Sequence, residues 1–253
     1  RTDVPVTVGL DDLALRYPPP AERARALFTE LEFRGLLREL GGEMVTVDRG
    51  RYRLVTTEEG LGELAAALRS ADRFAFDTET TSLDPLTAHL VGLSFCCDDD
   101  VAWYVPVGHS PLVAPEQLPW ERVRAVLGPI LEDPARGKTG QNLKFDLRVL
   151  RSAGVEVAGI DGDTLLVDYL LAPDRRSHSL DDLALVHLEH RMISYSEAVG
   201  KGATFAEVQV DLARDYAAED AHVAWLLDRR LTPRLDEQGL GALYRDLELP
   251  LIP

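Results

Sequence analysis

Three apolar segments follow one another in the first half of the chain, and only short polar stretches separate them. They are "RFAFDTE" from Arg73, "LVGLSFCC" from Leu90 and "VAWYVPVGH" from Val101. The separating stretches, "LDPLTAH" and "DDD", are too short to cross from one parallel strand to the next, which takes about a dozen residues. The pattern therefore predicts three neighbouring strands in an antiparallel meander.

Helical patterns surround this meander. A strand, "RYRLVTT", and an amphipathic helix, "EEGLGELAAALRSA", precede it, while four helical segments, a short strand near Lys138 to Gln141 and a long helix from about Leu212 to Arg230 follow it. This order predicts an α/β fold in which helices flank a mixed β-sheet. Ahead of it, "PPP" at Pro18 to Pro20 and apolar residues at helical spacing predict a short helical N-terminal appendage.

The composition excludes some classes of protein. Of the 253 residues, 45% are hydrophobic, which suffices for a sizeable core. No run of eighteen apolar residues occurs, so we expect no membrane span. Because the first residue is Arg1 rather than Met, we expect an excerpt from a longer protein, without a secretory peptide. The only cysteines, Cys96 and Cys97, are adjacent in an apolar segment and are interpreted as packed thiols of a cytoplasmic protein.

The formal net charge of −16 argues against a broad positive surface for nucleic acid, because phosphate contacts require clustered Lys and Arg. It does not exclude an enzyme that contacts a few nucleotides. Carboxylates that hold divalent cations count as negative in this sum, although the bound ions neutralise them.

Two acids stand at the end of the first meander strand. Asp77 and Glu79 are separated only by Thr78. Residues two apart in a strand project to the same face, so the two carboxylates would lie side by side. Like charges at that distance repel, and burial adds to the cost, unless a cation lies between them. The alternative is that the strand ends at Phe76 and both acids are exposed.

Two later segments contain further acids. In "GQNLKFD", a helix would begin near Asn142 with Asp146 about one turn in, and Asp146 taken alone is an ordinary helix-surface residue. In "RDYAAEDAHVAWLL", Tyr216 and Asp220 are four residues apart and would share a helix face that is otherwise small or apolar. An acid among alanines is either exposed or held by a cation, and this segment alone does not decide which.

The segment "SHSLDDLALVHLEH" carries two weaker signals. Ser179 stands three residues before Asp182, a spacing typical of a helix N-terminus. His187 and His190 would share a helix face, and we interpret them as part of a solvated helix surface rather than as metal ligands.

The order of the acidic motifs is more specific than any one of them. "FAFDTETTSLD", "LVGLSF", "YVPVGH", "GQNLKFD", "DTLLVDYLL", "HSLDDLA", "GKGATF" and "YAAEDA" together resemble the proofreading 3′–5′ exonuclease domain of bacterial DNA polymerase I. That domain belongs to the DEDD exonuclease superfamily and has a ribonuclease-H-like fold. The resemblance covers residues 45–236. Residues 1–44 resemble the end of a 5′-nuclease region, and residues 237–253 resemble the junction to a polymerase domain.

The resemblance implies a site for two divalent metal ions, Mg²⁺ or Mn²⁺, about 4 Å apart. Their four carboxylate ligands match Asp77, Glu79, Asp146 and Asp220. Tyr216 matches the residue whose hydroxyl orients the attacking water. The other branch of the superfamily has a histidine where this chain has Asp215, so the resemblance is to the tyrosine branch.

The resemblance also implies contacts to the 3′ end of single-stranded or frayed DNA. Leu83 matches a side chain that wedges against the terminal bases, and Phe205 matches an aromatic contact to a base or sugar. Gln141 and Asn142 match partners of the sugar-phosphate backbone. Apolar and aromatic contacts tolerate any base, as proofreading requires. For Leu83 and Phe205, the alternative is ordinary core packing.

We therefore predict a metal-dependent 3′–5′ exonuclease that releases nucleoside 5′-monophosphates as a monomer, with the polymerase domain of the same parent chain as its partner. Two alternatives are a catalytically inactive exonuclease-like module of a polymerase and an RNA-trimming 3′–5′ exoribonuclease. The complete set of acids weighs against the first, and the flanking segments that resemble polymerase I weigh against the second.

Overall fold

The computed structural model describes residues 47–84, 86–200 and 203–252, together with scattered positions between Arg23 and Leu36. By backbone contacts the chain divides into two units, Arg1–Met44 and Val45–Pro253. Most of the predicted N-terminal helix, and the prolines before it, lie outside the described residues. The sheet described next belongs entirely to the second unit.

Within the described residues, five strands form one mixed sheet. In chain order they are β1 (Arg53–Leu54), β2 (Arg73–Thr80), β3 (Leu90–Cys96), β4 (Ala102–Pro106) and β5 (Gly137–Thr139). Across the sheet the order is β1-β4-β3-β2-β5. The strands β2, β3 and β4 are antiparallel neighbours, whereas β1 is parallel to β4 and β5 is parallel to β2. The predicted meander and mixed sheet are confirmed.

Helices cover this sheet. They are α1 (Glu58–Ser70), α2 (Trp120–Leu131), α3 (Leu143–Ser152), α4 (Thr164–Leu171), α5 (Leu180–His187), α6 (Tyr195–Val199), α7 (Val210–Glu237) and α8 (Gly241–Leu243). Short 3₁₀ turns occur at Arg49–Arg51, Phe205–Glu207 and Leu249–Leu251, and a π-helical turn at Tyr244–Glu248. None of the described helices has the length and apolar character needed to cross a membrane.

Side-chain caps fix the starts of four helices. Thr57, Asp163, Ser179 and Ser194 precede α1, α4, α5 and α6, and a side-chain oxygen of each accepts a hydrogen bond from a backbone N–H in the first turn. These bonds satisfy donors that a helix cannot satisfy by itself. The predicted helix start at Ser179 is confirmed.

The two faces of β2 meet different helices, because successive strand residues point to opposite sides. Phe74 and Phe76 are buried in a core that includes side chains of α1, α2 and α3. Ala75 belongs to another cluster, with Ala218 and Ala221 of α7. The small side chains let α7 lie close to the sheet, so residues at the end of β2 and on α7 come together.

Candidate active site

The two acids near the end of β2 lie on the strand face that meets α7. By alternation, Asp77 and Glu79 share this face with Ala75. Glu79 is 7% exposed, and Asp77 is partly buried. The strand continues to Thr80, so the alternative in which it ends at Phe76 and leaves both acids in solvent is wrong.

The third acid comes from α7. Asp220 lies four residues after Tyr216, and both line the cleft that also contains the acids of β2. One carboxylate oxygen from each of Asp77, Glu79 and Asp220 lies within 4.8 Å of the other two. Three oxygen ligands therefore converge on one small volume.

Asp146 reaches the acidic motif from α3. Its Oδ1 accepts two hydrogen bonds from Thr78, one from the backbone N at 3.0 Å and one from Oγ1 at 2.5 Å. Asp146 is only 3% exposed, so the interpretation of it as a helix-surface residue is wrong. Thr78, which separates the first two acids in sequence, holds the fourth acid in place.

Burial raises the pKa of all four carboxyl groups, and repulsion from other acids of the cluster raises it further for Asp77, Glu79 and Asp220. Burial is the main cause of the raised pKa of Asp77, and Asp146 and Asp220 add to it. Burial and then Asp77 raise the pKa of Glu79, and burial and then Glu79 raise the pKa of Asp220. Burial raises the pKa of Asp146 to about 7, although hydrogen bonds from Thr78 lower it. Without a cation, the charged forms of these groups are disfavoured.

The donor set fits divalent cations. All four groups offer carboxylate oxygens, which Mg²⁺ and Mn²⁺ prefer over nitrogen or sulfur ligands. The ion pairs formed among the described residues include none of Asp77, Glu79, Asp146 and Asp220. A bound cation would therefore supply the positive charge that Arg and Lys side chains do not supply.

Tyr216 completes the cluster with a neutral polar group. Asp220 is the main cause of its raised pKa, and burial is the next. The phenol therefore stays protonated at neutral pH, and its hydroxyl can both donate and accept a hydrogen bond.

A cleft of about 640 Å³ opens over the acids. Leu83, on the loop after β2, lines the cleft and is 87% exposed, so core packing does not describe this residue. Gln141 and Asn142 also line it. The Gln141 side-chain amide donates to the His178 carbonyl at 2.7 Å. Asn142 is exposed, and although it immediately precedes α3, its side chain makes no capping hydrogen bond to that helix. Three of the four residues predicted to contact DNA thus lie in the cleft.

Asp163 fixes the turn that carries Asn142. Its Oδ1 accepts from the Asn142 backbone N at 3.2 Å, and its Oδ2 accepts from the Leu143 backbone N at 2.8 Å. Asn142 has a left-handed backbone, with φ of 57°, which Asn adopts more readily than most residues. The backbone N–H of Asp163 in turn donates to the Tyr244 hydroxyl at 2.8 Å. The start of α3 is therefore tied to the C-terminal π-helical turn.

Phe205 lies in the core rather than in the cleft. It is 0% exposed and packs in a cluster that includes Tyr104 and Ala217. Its ring centroid lies 5.6 Å from that of Tyr216. No face of the ring is open to a base or sugar, so the predicted direct contact of Phe205 with DNA is wrong, and the alternative of core packing is correct.

Tyr195, an aromatic residue that the sequence analysis missed, lines the cleft. Its side chain is 47% exposed, and its ring meets that of Tyr216 edge-on with centroids 6.3 Å apart. The sequence feature that could have located it is the capping box formed by Ser194 and Glu197, which places Tyr195 at the first position of α6.

The two histidines of "HLEH" hold buried carboxylates. His187 Nε2 lies 3.1 Å from Asp168 Oδ1, and His190 Nε2 lies 2.8 Å from Glu219 Oε1. Both acids are fully buried, so the interpretation of these histidines as a solvated surface is wrong.

The architecture and the acidic cluster define the class of protein. A mixed sheet in which an interior strand, here β2, carries acids that converge with an acid of a late helix is the arrangement of ribonuclease-H-like nucleases. The profile of the family described as 3′–5′ exonuclease matches residues 52–236. The chain belongs to this 3′–5′ exonuclease family.

The curated relatives are DNA polymerase I proteins. The chain is 39% identical over 272 residues to DNA polymerase I of Pseudomonas aeruginosa, with 100% of this chain and 30% of that protein covered. It is 38% identical over 205 residues to DNA polymerase I of Chloroflexus aurantiacus, with 79% of this chain and 21% of that protein covered. The chain therefore spans less than a third of each of these relatives and is homologous to their 3′–5′ exonuclease domain.

Solved structures share the fold. A structure described as the apo form of the nuclease has a TM-score of 0.62 at 25% identity and covers 80% of this chain and 89% of its own. Brucella melitensis NrnC with bound Mg²⁺ has a TM-score of 0.57 at 21% identity and covers 78% and 86%. The POL domain of Pol1 from M. smegmatis, in complex with DNA primer-template and dNTP, has a TM-score of 0.62 at 22% identity and covers 79% and 30%. The predicted ribonuclease-H-like α/β fold is confirmed.

Proposed function

We propose that this exonuclease domain removes nucleotides one at a time from the 3′ end of single-stranded or frayed DNA, and that it proofreads for the polymerase domain of the same parent chain. The product is a nucleoside 5′-monophosphate. Membership of the exonuclease family supports the reaction type, and the similarity to DNA polymerase I proteins supports the DNA substrate and the polymerase partner.

The side chains of the cluster have separate roles in this proposal. The side chains of Asp77, Glu79, Asp146 and Asp220 would hold two divalent ions, Mg²⁺ or Mn²⁺. When bound, such ions make a nucleophile from water at neutral pH and stabilise charge on the leaving 3′ oxygen. The neutral hydroxyl of Tyr216 orients the attacking water by hydrogen bonding. Thr78 fixes the Asp146 carboxylate by two hydrogen bonds, so that it would be oriented before an ion binds.

Apolar and amide groups of the cleft hold the DNA end. Leu83 contacts the terminal bases, and Tyr195 takes the stacking role that was predicted for Phe205. Asn142 and Gln141 lie beside the sugar-phosphate backbone. Arg176 adds one cationic side chain to the cleft lining. Such a small footprint suits an enzyme that contacts a few nucleotides and carries a net charge of −16.

One observation carries the proposal. Three carboxylates from two separate elements offer oxygens within 4.8 Å of one another, and no ion pair of the described residues neutralises them. Such a group is costly unless it binds cations, and a nuclease needs cations at this position.

Replacement of both Asp77 and Glu79 by Ala tests the proposal. With Mn²⁺ and a 5′-labelled single-stranded oligodeoxynucleotide, we expect the unchanged protein to shorten the strand from its 3′ end. The double variant should be at least about a thousand-fold slower, because it lacks half of the ligands. Its melting temperature should be unchanged or higher, because buried like charges have been removed.

The control variant Glu116→Ala/Glu121→Ala removes two exposed carboxylates outside the cleft and should keep full activity. A matched RNA oligonucleotide separates the alternatives. Faster loss of RNA than of DNA would indicate an exoribonuclease. No degradation of either strand by the unchanged protein would indicate an inactive module, and full activity of the Asp77→Ala/Glu79→Ala variant would refute the site.

A further inference from the structure

Phe205 belongs to a column of rings that runs from the sheet to Tyr216. The centroids of His109 and Phe205 are 5.8 Å apart, and those of Phe205 and Tyr216 are 5.6 Å apart. At the other end, the His109 ring meets the Tyr104 ring edge-on at 5.9 Å, and His109 Nε2 lies 2.6 Å from the Tyr104 hydroxyl. The column thus connects β4 to the face of α7 that carries Asp220.

Hydrogen bonds fix the loop that carries His109 and the turn that carries Phe205. Gln117 binds the His109 backbone twice, accepting from its N at 2.9 Å and donating to its O at 2.7 Å. The Ser110 backbone N donates to the Ala206 carbonyl at 2.8 Å and so joins this loop to the 3₁₀ turn of Phe205. The loop of His109 and the turn of Phe205 are therefore held to each other by hydrogen bonds.

The two rings of the column that lie nearest the sheet, those of His109 and Tyr104, are uncharged at physiological pH. Burial lowers the pKa of His109 to about 4, so its imidazole is uncharged. Burial, with Glu79 as the next cause, raises the pKa of Tyr104 well above its usual range, so its phenol is uncharged as well. The column can support Tyr216 without adding a charge beside the carboxylates.

We propose that Phe205 is a positioning residue, which fixes the Tyr216 ring so that its hydroxyl is aimed at the attacking water. The inference rests on the proposed function of Tyr216. Phe205 packs on Tyr216 from the core, and Tyr195 meets it from the cleft, so the two contacts together restrict the phenol ring. The neighbouring core residues on α7, Ala213 and Ala217, are too small to take over this support.

The expected effect follows from the sensitivity of catalysis to geometry. A shift of about 1 Å in a reacting group can cost about a hundred-fold in rate. The variant Phe205→Leu keeps an apolar side chain but removes the ring. We expect kcat on a single-stranded oligodeoxynucleotide to fall about ten-fold or more, with KM unchanged, because Phe205 does not contact the DNA.

The control is Phe74→Leu, the same change at an equally buried phenylalanine in the core formed with α1, α2 and α3. It should lower the melting temperature by a similar amount and leave kcat unchanged. A comparable fall of kcat in both variants would mean that general loosening of the core is responsible, and would overturn the proposal.

A double-mutant cycle gives the decisive readout. If Phe205 acts through the Tyr216 hydroxyl, Tyr216→Phe/Phe205→Leu should be no slower than Tyr216→Phe alone. Independent, multiplying losses would overturn the positioning role and leave the proposed function intact. Full activity of Tyr216→Phe would overturn both the positioning role and the proposed role of Tyr216. Phe205→Met provides the same cycle if Phe205→Leu does not fold.

Discussion

At the scale of single residues, the acids of the proposed metal site oppose stability when no cation is bound. Asp146 is nearly fully buried and accepts two hydrogen bonds from Thr78, yet its pKa is raised to about 7, mainly by burial. An Asp in an unfolded chain has a pKa of about 3.9. Folding therefore favours the protonated form of Asp146 and opposes its charged form until a cation is bound.

This conflict predicts the effect of Asp146→Asn on stability in metal-free buffer. Since the pKa is higher in the folded chain, the contribution of Asp146 is fully present below about pH 4 and is lost as the pH rises through about 7. Asn stays neutral and keeps an oxygen for the Thr78 bonds. With EDTA, the variant should melt at a higher temperature than the unchanged protein at pH 8, and the difference should shrink towards pH 5.

Mg²⁺ should reverse the order at pH 8, because the unchanged protein gains a ligand that the variant binds less well. Asp72→Asn, at an exposed aspartate, is the matched control and should show no such dependence on pH or Mg²⁺. An Asp146→Asn variant that is less stable than the unchanged protein in EDTA at pH 8 would contradict the explanation.

At the scale of elements, the start of α3 depends on a residue near the end of the chain. Asp163 accepts from the backbone of Asn142 and Leu143, and its own N–H donates to Tyr244. Tyr244 is buried beside α7. One hydroxyl thus connects the C-terminal π-helical turn to the helix that carries Asp146.

Tyr244→Phe tests this connection, because it removes that hydroxyl and little else. A buried N–H left without a partner costs about 1–3 kcal/mol, so we expect the free energy of unfolding to fall by about that amount. Amide hydrogen exchange at Asn142 and Leu143 should become faster. Tyr169→Phe, at a half-exposed tyrosine, should change neither quantity. Unchanged exchange at both amides in Tyr244→Phe would show that the bond does not fix α3.

The parts of the site that were predictable are those that local periodicity determines. Strand alternation predicted that Asp77 and Glu79 share a face, and helical spacing predicted that Tyr216 and Asp220 do. The burial of Asp146 was not predictable from its own helix, because it depends on hydrogen bonds from Thr78 in another element.

Local sequence patterns also could not predict which aromatic residue lines the cleft. Phe205 and Tyr195 both precede α7 on short helical turns, and their sequences do not show which one faces inward. The packing of each turn against α7 decides it, with Phe205 beneath Tyr216 and Tyr195 on the cleft side. Tertiary contacts of this kind have no signal in a single segment.

At the scale of the whole molecule, the fold concentrates negative charge where the proposed reaction needs cations. The central sheet brings β2, α3 and α7 to one cleft, and the net charge of −16 includes the four acids found there. The remaining charge gives DNA little long-range attraction, so in the proposed function the polymerase domain delivers the 3′ end. In that proposal, hydrolysis of the DNA depends on bound metal ions and not on a basic DNA-binding surface.

The most direct measurement is anomalous X-ray scattering from a crystal soaked with Mn²⁺ and a nucleoside 5′-monophosphate. We predict two Mn²⁺ peaks about 4 Å apart, ligated by Asp77, Glu79, Asp146 and Asp220. The nucleotide should lie in the same cleft, against Leu83 and Tyr195. Peaks elsewhere on the protein, with none among these four carboxylates, would contradict the assignment of this cluster as the catalytic metal site.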